Sequence, residues 1–425
     1  MKKQLGNNYY NTISSNFENE MYDLLLNDVN AALFDYSDHH ITNKPTYKNI
    51  LKRFVIDKLF FVFYFKNKLI RKPKGKKIIV SNAYINLNIP DSIITLPPWN
   101  FSPAKFSLSS WKLIKIIREL NSMFRARSLR LLLSDRFKYL KEVFQSELDV
   151  LFTKNKVVAV IVPNDMAFFE KLTIKTAKDK GIPSFVYLHG LPARYNQVDD
   201  NRADYLIVWG KGLKELYKNA GVIEEKILTA KHPLYSSFEP VTLESDLTNV
   251  LVITKATCGV PSDSSKLVLT ERSTVLYYTE LVKENLKKLG VEKATLRLHP
   301  SESADFYLRN LTDDFFTIDS LSKEESLSKA SLVIGPTSTM LFDALKMDKN
   351  YILYDPIFDG LTLEGMPLVS PFTGDSFVKL SNSFEDMFYN INNPIHNICY
   401  DKLNDFLSVD LNDEERFLKI INADK

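Results

Sequence analysis

The sequence predicts an α/β protein made of two doubly wound domains, each with a parallel sheet. Short β-branched runs such as Val157–Val162 alternate with helical segments, a pattern typical of parallel sheets. A chain of 425 residues is too long for one ordinary core, so two domains of about 200 residues are expected. Residues 234–248 are polar and lack a hydrophobic period, which suits an interdomain linker. We therefore expect an N-terminal domain with a helical insertion at residues 1–240 and a C-terminal domain at residues 241–425.

The composition excludes several classes of protein. With 45% hydrophobic and 25% charged residues the chain is globular, and a formal net charge of +3 gives no reason to expect a nucleic-acid partner. Two cysteines, Cys258 and Cys399, exclude a disulfide framework and a cysteine-based zinc site, and suit a reducing compartment. The residues after the first three are polar where a secretory signal needs an apolar core, so we expect a cytoplasmic location.

Residues 48–77 carry a local excess of positive charge. They contain eleven Lys or Arg and one Asp around the aromatic run Phe54–Phe65. This run is shorter than the roughly 20 residues that span a bilayer. Its basic flanks are typical of an element that lies on an anionic membrane surface, and a core helix with solvated ends is the alternative. The protein could therefore be peripheral on the inner face of the cytoplasmic membrane.

The N-terminal half is expected to alternate strands and helices. The segment Leu129–Leu151 is amphipathic with a 3.6-residue period, and Gly181 and Gly221 end two further helices. The expected elements in chain order are a helix at Ser15–Phe34, a strand at Lys77–Asn82, helices at Ser109–Leu120 and Leu129–Leu151, a strand at Val157–Val162, a helix at Phe168–Lys180, strands at Ser184–Leu188 and Tyr205–Gly210, a helix at Leu213–Ala220 and a strand at Ile227–Ala230.

The C-terminal half restarts the same alternation. The expected elements are a strand at Asn249–Thr254, a helix that ends at Leu289, strands at Ala294–Leu298, Phe315–Ile318 and Ser331–Gly335, a helix at Met340–Leu345, a strand at Asn350–Asp355, and helices at Phe384–Ile391 and Glu414–Ile421. The sequence shows no internal repeat beyond this alternation.

Two of these strands run into polar turns. The turns consist of His299, Pro300, Ser301 and Glu302, and of Gly335, Pro336, Thr337, Ser338 and Thr339. Because parallel strands end at one edge of a sheet, both turns should face one crevice, at the tips of neighbouring strands. The hydroxyls of the second turn stand at a helix start, where unpaired N–H groups and the helix dipole favour a phosphate. Alternatively, Ser338 or Thr339 only caps the helix and His299 is an ordinary turn residue.

Several of these patterns, taken together, resemble known enzymes. The segments Ile182–Gly190, Ala203–Gly210 and Gly221–Pro233 are similar to strand-and-turn units of bacterial polysaccharide transferases. The His299-Pro300 and Ser338-Thr339 turns are similar to the paired motifs of bacterial sialyltransferases and of related capsule and lipopolysaccharide enzymes that use CMP-sugars. The similarity covers about Val157–Asp355.

This resemblance implies the GT-B architecture of nucleotide-sugar glycosyltransferases, in which two Rossmann-like domains face a cleft. The N-terminal domain would bind an oligosaccharide or glycolipid acceptor and the C-terminal domain the CMP-sugar donor. His299, Ser338 and Thr339 match the positions that contact the CMP phosphate in that family, and the other residues of the two turns, with Thr254, are expected to bind the donor as well. The acidic-acidic-Gly turn that supplies the family's general base is absent, and His189-Gly190 occupies the corresponding strand end.

Glycosyl transfer needs a base for the acceptor hydroxyl and a group that stabilises the departing phosphate. Asp165 and His189 follow strands of the N-terminal half and are both base candidates, with Asp165 placed first. His299 suits the phosphate because imidazole titrates near neutrality. The loop Thr254–Lys266 either adds hydroxyls or backbone donors to the nucleotide site or is a plain surface loop.

The motifs that the sequence lacks narrow the reaction. It contains no Asp-x-Asp motif, and the histidine pair His39-His40 has no third ligand nearby, so neither a metal nor a cofactor is expected. A CMP-sugar donor releases CMP, whose single phosphate does not need a metal ion to bridge it. The missing motif therefore favours CMP over UDP donors. There is no Gly-x-Gly-x-x-Gly fingerprint and no Walker loop, which counts against a dehydrogenase or an NTPase.

The leading hypothesis is an inverting, metal-independent glycosyltransferase. It would move an acidic sugar, a sialic acid-like nonulosonate or Kdo, from a CMP donor to a surface glycan. The alternatives are a CDP-glycerol or CDP-ribitol type polyol-phosphate transferase and a UDP-sugar GT-B transferase. A non-enzymatic scaffold of a glycan-assembly complex is the alternative from another class.

Overall fold

The computed structural model contains two six-stranded parallel sheets, each in one half of the chain. The structure describes residues 24–25, 77–81, 87, 89–96, 108–126, 128–165, 167–191, 203–235, 237–239, 243, 246–255, 272–300, 302, 304–311, 313–358, 360–363, 368, 370–373, 378–393 and 400–422. The predicted fold class, two doubly wound parallel-sheet α/β domains, is therefore confirmed.

The first sheet has the order β2-β1-β3-β4-β5-β6, and all neighbouring strands are parallel. Its strands are β1 (Lys77–Ser81), β2 (Ile93–Leu96), β3 (Val157–Val162), β4 (Ser184–Tyr187), β5 (Tyr205–Val208) and β6 (Ile227–Thr229). The sequence analysis missed β2. The near-continuous apolar runs of β3 to β6 reflect burial on both faces of the sheet, which parallel sheets require.

Helices of the N-terminal half cover one face of this sheet. They are α1 (Leu108–Arg125), α2 (Leu129–Leu132), α3 (Asp135–Lys154) and α4 (Phe168–Asp179), while α5 (Lys211–Asn219) packs against the opposite face through Leu213 and Tyr217. Phe137, Phe144 and Phe168 are fully buried in a cluster with the β3 side chains Val160 and Val162. The expected single helix at Leu129–Leu151 is wrong, because Ser134 takes an extended conformation and its side chain caps the start of α3 by accepting from the Phe137 N–H at 3.2 Å.

The second sheet has the order β14-β11-β10-β7-β8-β9, again with parallel neighbours. Its strands are β7 (Val250–Ile253), β8 (Ala294–Arg297), β9 (Phe316–Ile318), β10 (Leu332–Gly335), β11 (Tyr351–Tyr354) and β14 (Lys379–Ser381), while β12 (Ile357–Phe358) and β13 (Leu361–Thr362) form a separate antiparallel pair. The helices of this half are α6 (Arg272–Lys288), α7 (Ala304–Asn310), α8 (Lys323–Lys329), α9 (Met340–Lys346) and α10 (Phe384–Asn392).

The chain then returns to the first sheet. Helices α11 (Tyr400–Phe406) and α12 (Leu411–Asn422) contact α5, β6 and β3 of the N-terminal half. Gly210 makes this packing possible, since a Cβ there would lie 2.5 Å from the carbonyl oxygen of Phe406. The last helices therefore complete the N-terminal core. The expected boundary between the two domains at residue 240 stays a prediction.

A buried ionic network fastens α12 to the first sheet. The side chain of Asp413 is 1% exposed and accepts from the Lys214 ammonium at 3.3 Å and from the Arg416 guanidinium at 2.7 Å. The same carboxylate accepts from the backbone N–H of Thr229 at 2.9 Å and from its hydroxyl at 3.0 Å. Because each buried charge has a charged partner and further hydrogen bonds, the network can compensate the loss of hydration.

The two halves share one buried apolar cluster. It contains Val208 and Trp209 of the first half together with Ile253 and Val333 of the second. The segment predicted as a polar linker contributes to this cluster through the buried side chains of Tyr235, Phe238 and Leu243. The segment therefore packs against both halves. Burial of these three apolar side chains favours this packing, although most other residues of the segment are polar.

Two predicted segments lie almost wholly outside the described residues. Of the expected helix Ser15–Phe34, Leu24 and Leu25 are described and are helical. Of the basic segment 48–77, only Lys77 is described, at the start of β1. Within the described ranges, no helix combines the length and the apolar character needed to cross a membrane.

Removing the Asp413 carboxylate should destabilise the protein, because Lys214 and Arg416 would keep charges without their buried partner. We expect Asp413→Ala to lower the free energy of unfolding by about 3–5 kcal/mol in urea titrations. Glu415→Ala on the same helix is the matched control: its carboxylate is 73% exposed, so a change within about 0.5 kcal/mol is expected. Equal losses in the two variants would contradict the anchoring role of Asp413.

Candidate functional site

The second sheet reverses its strand order between β7 and β10. From β7 the chain adds β8 and β9 on one side, and from β10 it adds β11 and β14 on the other. In open α/β sheets, ligands bind outside the carboxyl ends of the strands at such a switch point. The segments that emerge there are Thr254-Lys255 after β7 and the Pro336–Thr339 turn after β10.

Side chains packed closely against Gly335 fix the turn after β10. A Cβ on Gly335 would lie 2.3 Å from Cγ1 of Ile253 and 2.4 Å from the hydroxyl of Tyr351, so only glycine fits. The Tyr351 hydroxyl in turn donates to the carbonyl of Pro336 at 2.5 Å. The strand end is therefore held from both neighbouring strands, and the turn that follows starts from a fixed point.

The hydroxyls of this turn are placed at the start of α9, as predicted. Thr337 is buried, Ser338 and Thr339 are half-buried, and Ser338 Oγ accepts from the Met340 N–H at 3.2 Å. Thr339 is the N-cap residue of α9, but its side chain makes no capping bond. The simple capping interpretation therefore applies to Ser338 and leaves Thr339 for another partner.

Lys255 was missed by the sequence analysis and spans the switch point. Its ammonium donates to Thr337 Oγ1 at 2.7 Å, which joins the ends of β7 and β10. The available indication was its position directly after a buried strand, but the strand order that puts it beside the second turn is not visible in the sequence. Lys255 places a positive charge at the point where the fold favours an anion.

The His299 turn is tied to β7 by a compact polar cluster. The His299 N–H donates to Thr254 Oγ1 at 3.0 Å and to Glu302 Oε2 at 3.1 Å, and the Thr254 hydroxyl also bonds to Glu302 Oε2. The Tyr307 hydroxyl donates to Glu302 Oε1 at 2.7 Å, and burial raises the pKa of the Glu302 carboxyl. The side chain of His299 is exposed, as is that of Pro300. Ser301 lies outside the described residues.

The two predicted turns face the same edge but do not follow adjacent strands. β7 lies between β8 and β10, so the turns are about 10 Å apart across the sheet at the usual strand spacing. The expectation that the two turns follow neighbouring strands is therefore wrong. Thr254 and Lys255 fill the space between them, Thr254 bonding to the His299 turn and Lys255 to the Thr337 turn.

In the first sheet, His189 follows β4 with an oriented and exposed imidazole. Its Nδ1 lies 2.7 Å from the carbonyl oxygen of Pro163, at the end of the adjacent strand β3. A carbonyl can only accept, so Nδ1 carries the proton and Nε2 of the neutral ring presents a lone pair. Asp165, the other base candidate, lies in the same loop as Pro163, but its side chain is only 3% exposed.

The strand ends of the two sheets are in direct contact. The Leu191 N–H, two residues after His189, donates to Thr339 Oγ1 at 3.2 Å. A Cβ built on Gly190 would lie 3.6 Å from the same oxygen. The base candidate His189 and the predicted phosphate turn are thus brought together from opposite halves of the chain.

A second contact between the halves surrounds His232, at the end of β6. Its ring stacks on Tyr235 at 4.3 Å with an interplanar angle of 10° and lies 4.3 Å from the Trp209 ring. The Tyr235 hydroxyl donates to Asp343 on α9 at 2.8 Å, and Lys323 on α8 pairs with the same carboxylate. Burial, with Lys323 and Lys346 nearby, lowers the pKa of His232 to about 4. The ring is therefore neutral at pH 7, and its Nδ1 accepts from the Leu234 N–H at 3.1 Å.

The described residues contain no group of three or more His, Cys, Asp or Glu side chains that could hold a metal ion. The pair His39-His40 lies outside them.

Comparisons with known proteins give similarities in chain path only. The sequence matches no family model and no curated protein. Among solved structures, UDP-N-acetylglucosamine 2-epimerase from Rickettsia bellii is 12% identical over 81% of this chain and 95% of its own, with a TM-score of 0.43. The lipopolysaccharide outer core galactosyltransferase WaaB is 10% identical over 81% and 99%, with a TM-score of 0.39. Acinetobacter baumannii MurG is 9% identical over 82% and 99%, with a TM-score of 0.36. At these scores none of the similarities bears on activity, and the fold rests on the strand order itself.

The neutral His232 should make stability depend on pH. Its pKa is about 4 in the folded chain and about 6.5 when unfolded, so its contribution is complete above pH 6.5 and is lost as the pH falls towards 4. We expect His232→Phe, which keeps the stacking but cannot titrate, to lose less melting temperature than the wild type between pH 7 and pH 4.5. Calorimetry at matched ionic strength measures this difference, and identical slopes would contradict it.

Proposed function

We propose that this protein is an inverting, metal-independent glycosyltransferase of the GT-B type that moves an acidic sugar from a CMP donor to a surface glycan. The observation that carries the proposal is the switch point of the second sheet, where Lys255 and the Thr337 hydroxyl meet beside the His299 turn and opposite His189. A cation, hydroxyls and an imidazole at one strand edge suit a phosphate.

The phosphate of the donor would lie between the two turns of the second sheet. Lys255, centred between them, neutralises its charge, and the hydroxyls of Ser338 and Thr339 donate to its oxygens. His299 stands one strand away and assists departure by donating to a phosphate oxygen as negative charge develops. These groups are fixed before the donor arrives, since Gly335 and Thr254 hold the turns in place.

The acceptor would be activated from the other side of the cleft. His189 serves as the base, because its Nε2 lone pair is exposed and its ring is oriented by the Pro163 carbonyl. This reverses the preference for Asp165, whose buried carboxylate is poorly placed to reach a sugar hydroxyl. With base and leaving-group site on opposite sides of the sugar, attack occurs opposite the departing phosphate and inverts the configuration.

Three features favour CMP donors of a nonulosonate or Kdo. The sequence resembles enzymes that use such donors at His299, Ser338 and Thr339. It has no Asp-x-Asp motif to bridge a diphosphate through a metal, and a single departing phosphate matches one centred lysine. The acceptor is an oligosaccharide or glycolipid, and the basic segment 48–77 would hold the enzyme at the membrane that carries it.

Nucleotide binding tests the donor site directly. Because a ligand that binds only the folded state raises its melting temperature, CMP should stabilise the wild type more than UDP or ADP does. We expect Lys255→Met to weaken CMP binding about 10- to 100-fold, the loss typical of a charge-assisted contact to an anion. Lys329→Met, which removes an exposed cation on α8, should bind CMP like the wild type.

The same titration separates the alternatives. Stabilisation by CDP alone would favour a polyol-phosphate transferase, and stabilisation by UDP alone a UDP-sugar transferase. No response to any of these nucleotides would overturn the donor site and favour the scaffold alternative.

The choice of base can be tested with donor hydrolysis, in which water replaces the acceptor. We expect His189→Ala to slow CMP release from CMP-N-acetylneuraminate or CMP-Kdo about 100-fold or more, while CMP affinity stays within about twofold. Asp165→Asn, which keeps the shape of the side chain, should retain most of the rate. The opposite ranking would return the role to Asp165, and loss of wild-type activity in EDTA would refute metal independence.

A further inference from the structure

Glu302 is the centre of the polar cluster that joins β7 to the His299 turn. Its two carboxylate oxygens accept from the Tyr307 hydroxyl at 2.7 Å, from the His299 N–H at 3.1 Å and from the Thr254 hydroxyl. The turn is closed by the Glu302 N–H, which donates to the His299 carbonyl at 2.8 Å. Both carboxylate oxygens are therefore engaged by groups on β7, on the turn and on α7.

The bonds of this cluster have a definite direction. An ionised carboxylate only accepts, so the Thr254 hydroxyl must donate its proton to Glu302. Its oxygen is then left to accept the His299 N–H at 3.0 Å. Thr254 and Tyr307 are 4% and 0% exposed, so neither can exchange these bonds for water. The backbone of His299 is thereby clamped to the residue that precedes Lys255.

We propose that Glu302 is a positioning residue, which by orienting Thr254 clamps the backbone of His299 to the end of β7 and so fixes the imidazole relative to Lys255. This inference rests on the proposed function in one respect, the contact of His299 with the donor phosphate. Glu302 itself touches no reacting atom in this arrangement. Its part is to keep two phosphate-binding groups on neighbouring strands at a constant separation.

A buried carboxylate that holds a turn together lowers the stability of the folded chain when it is ionised. Burial raises the pKa of Glu302, so the ionised form is less favourable in the folded chain than in water. The protonated carboxyl therefore contributes stability below the unfolded pKa of about 4.5, and this contribution is lost as the pH rises through the higher folded pKa. Above that pH the ionised carboxylate therefore works against folding, as polar groups retained for function often do.

Two pairs of variants separate positioning from bulk stability. Glu302→Ala removes all three acceptor contacts, whereas Glu302→Gln keeps one oxygen for Thr254 and His299 and turns its amide to the Tyr307 oxygen. Thr254→Val removes the hydroxyl at constant volume, whereas Thr254→Ser retains it. Thr279→Val on α6 is the control for replacing a buried threonine, since its hydroxyl bonds only within its own helix, to the Val275 carbonyl at 2.7 Å.

The first measurement follows the His299 backbone without any nucleotide. The chain has six histidines, so selective ¹⁵N-histidine labelling gives six backbone amide signals, and His299→Ala identifies the one that belongs to His299. We expect the exchange of this amide with solvent to accelerate about tenfold or more in Glu302→Ala and Thr254→Val, and to change less than about twofold in Glu302→Gln, Thr254→Ser and Thr279→Val. Unchanged exchange in Glu302→Ala would overturn the clamp.

The second measurement is a double-mutant cycle with CMP as the probe. Glu302→Ala should weaken CMP binding about tenfold when His299 is present, since a misplaced contact loses much of its value. In the His299→Ala background the same change should have less than about a twofold effect, because Glu302 acts through His299. A merely structural role would give the same loss in both backgrounds, which would overturn the inference.

The two measurements fail in different ways. If wild-type protein does not bind CMP, the proposed function fails, while the amide exchange still decides whether Glu302 clamps the turn. If CMP binds and the cycle shows no coupling between Glu302 and His299, the donor site stands and the positioning role is refuted.

Discussion

Parallel pairing places the carboxyl ends of all strands of a sheet at one edge, and the arrangement of this protein depends on it. Each six-stranded sheet has every neighbouring pair parallel. The turns after β7, β8 and β10 therefore emerge together, as do those after β3 and β4. The Thr339–Leu191 hydrogen bond then joins this edge of the second sheet to the corresponding edge of the first. Residues far apart in sequence become neighbours without any long loop having to carry them there.

The helix α9 links the two places where the halves touch, at Thr339 and around Tyr235. Its first residues follow the Pro336–Thr339 turn, Asp343 in its middle accepts from Tyr235, and Lys346 at its end donates to the Leu234 carbonyl. Both partners belong to the segment that connects the sheets. A change in how the halves pack would therefore displace Thr339, the residue that contacts Leu191 of the first half.

The alternation of strands and helices was predictable because burial on both faces leaves unbroken apolar runs, as in Val157–Val162. The polar turns were predictable for the same reason, since they end those runs. Strand order was not, because β-branched runs do not reveal which strand lies beside which. Lys255 was missed on that account, and Glu302 was named only as a donor-binding residue. The linker was predicted as polar because its three buried side chains are widely spaced among polar residues.

The return of α11 and α12 to the first sheet also affects how the chain can be made. The carboxylate of Asp413 completes its bonds with Thr229, which lies 184 residues earlier. During synthesis on the ribosome, at about 5–20 residues per second, the earlier half must wait on the order of ten seconds or more for that partner. Throughout this interval the apolar side chains that Phe417 and Leu403 will cover remain open to water and to chaperones. The N-terminal sheet therefore reaches its final form only after the whole C-terminal half has left the ribosome.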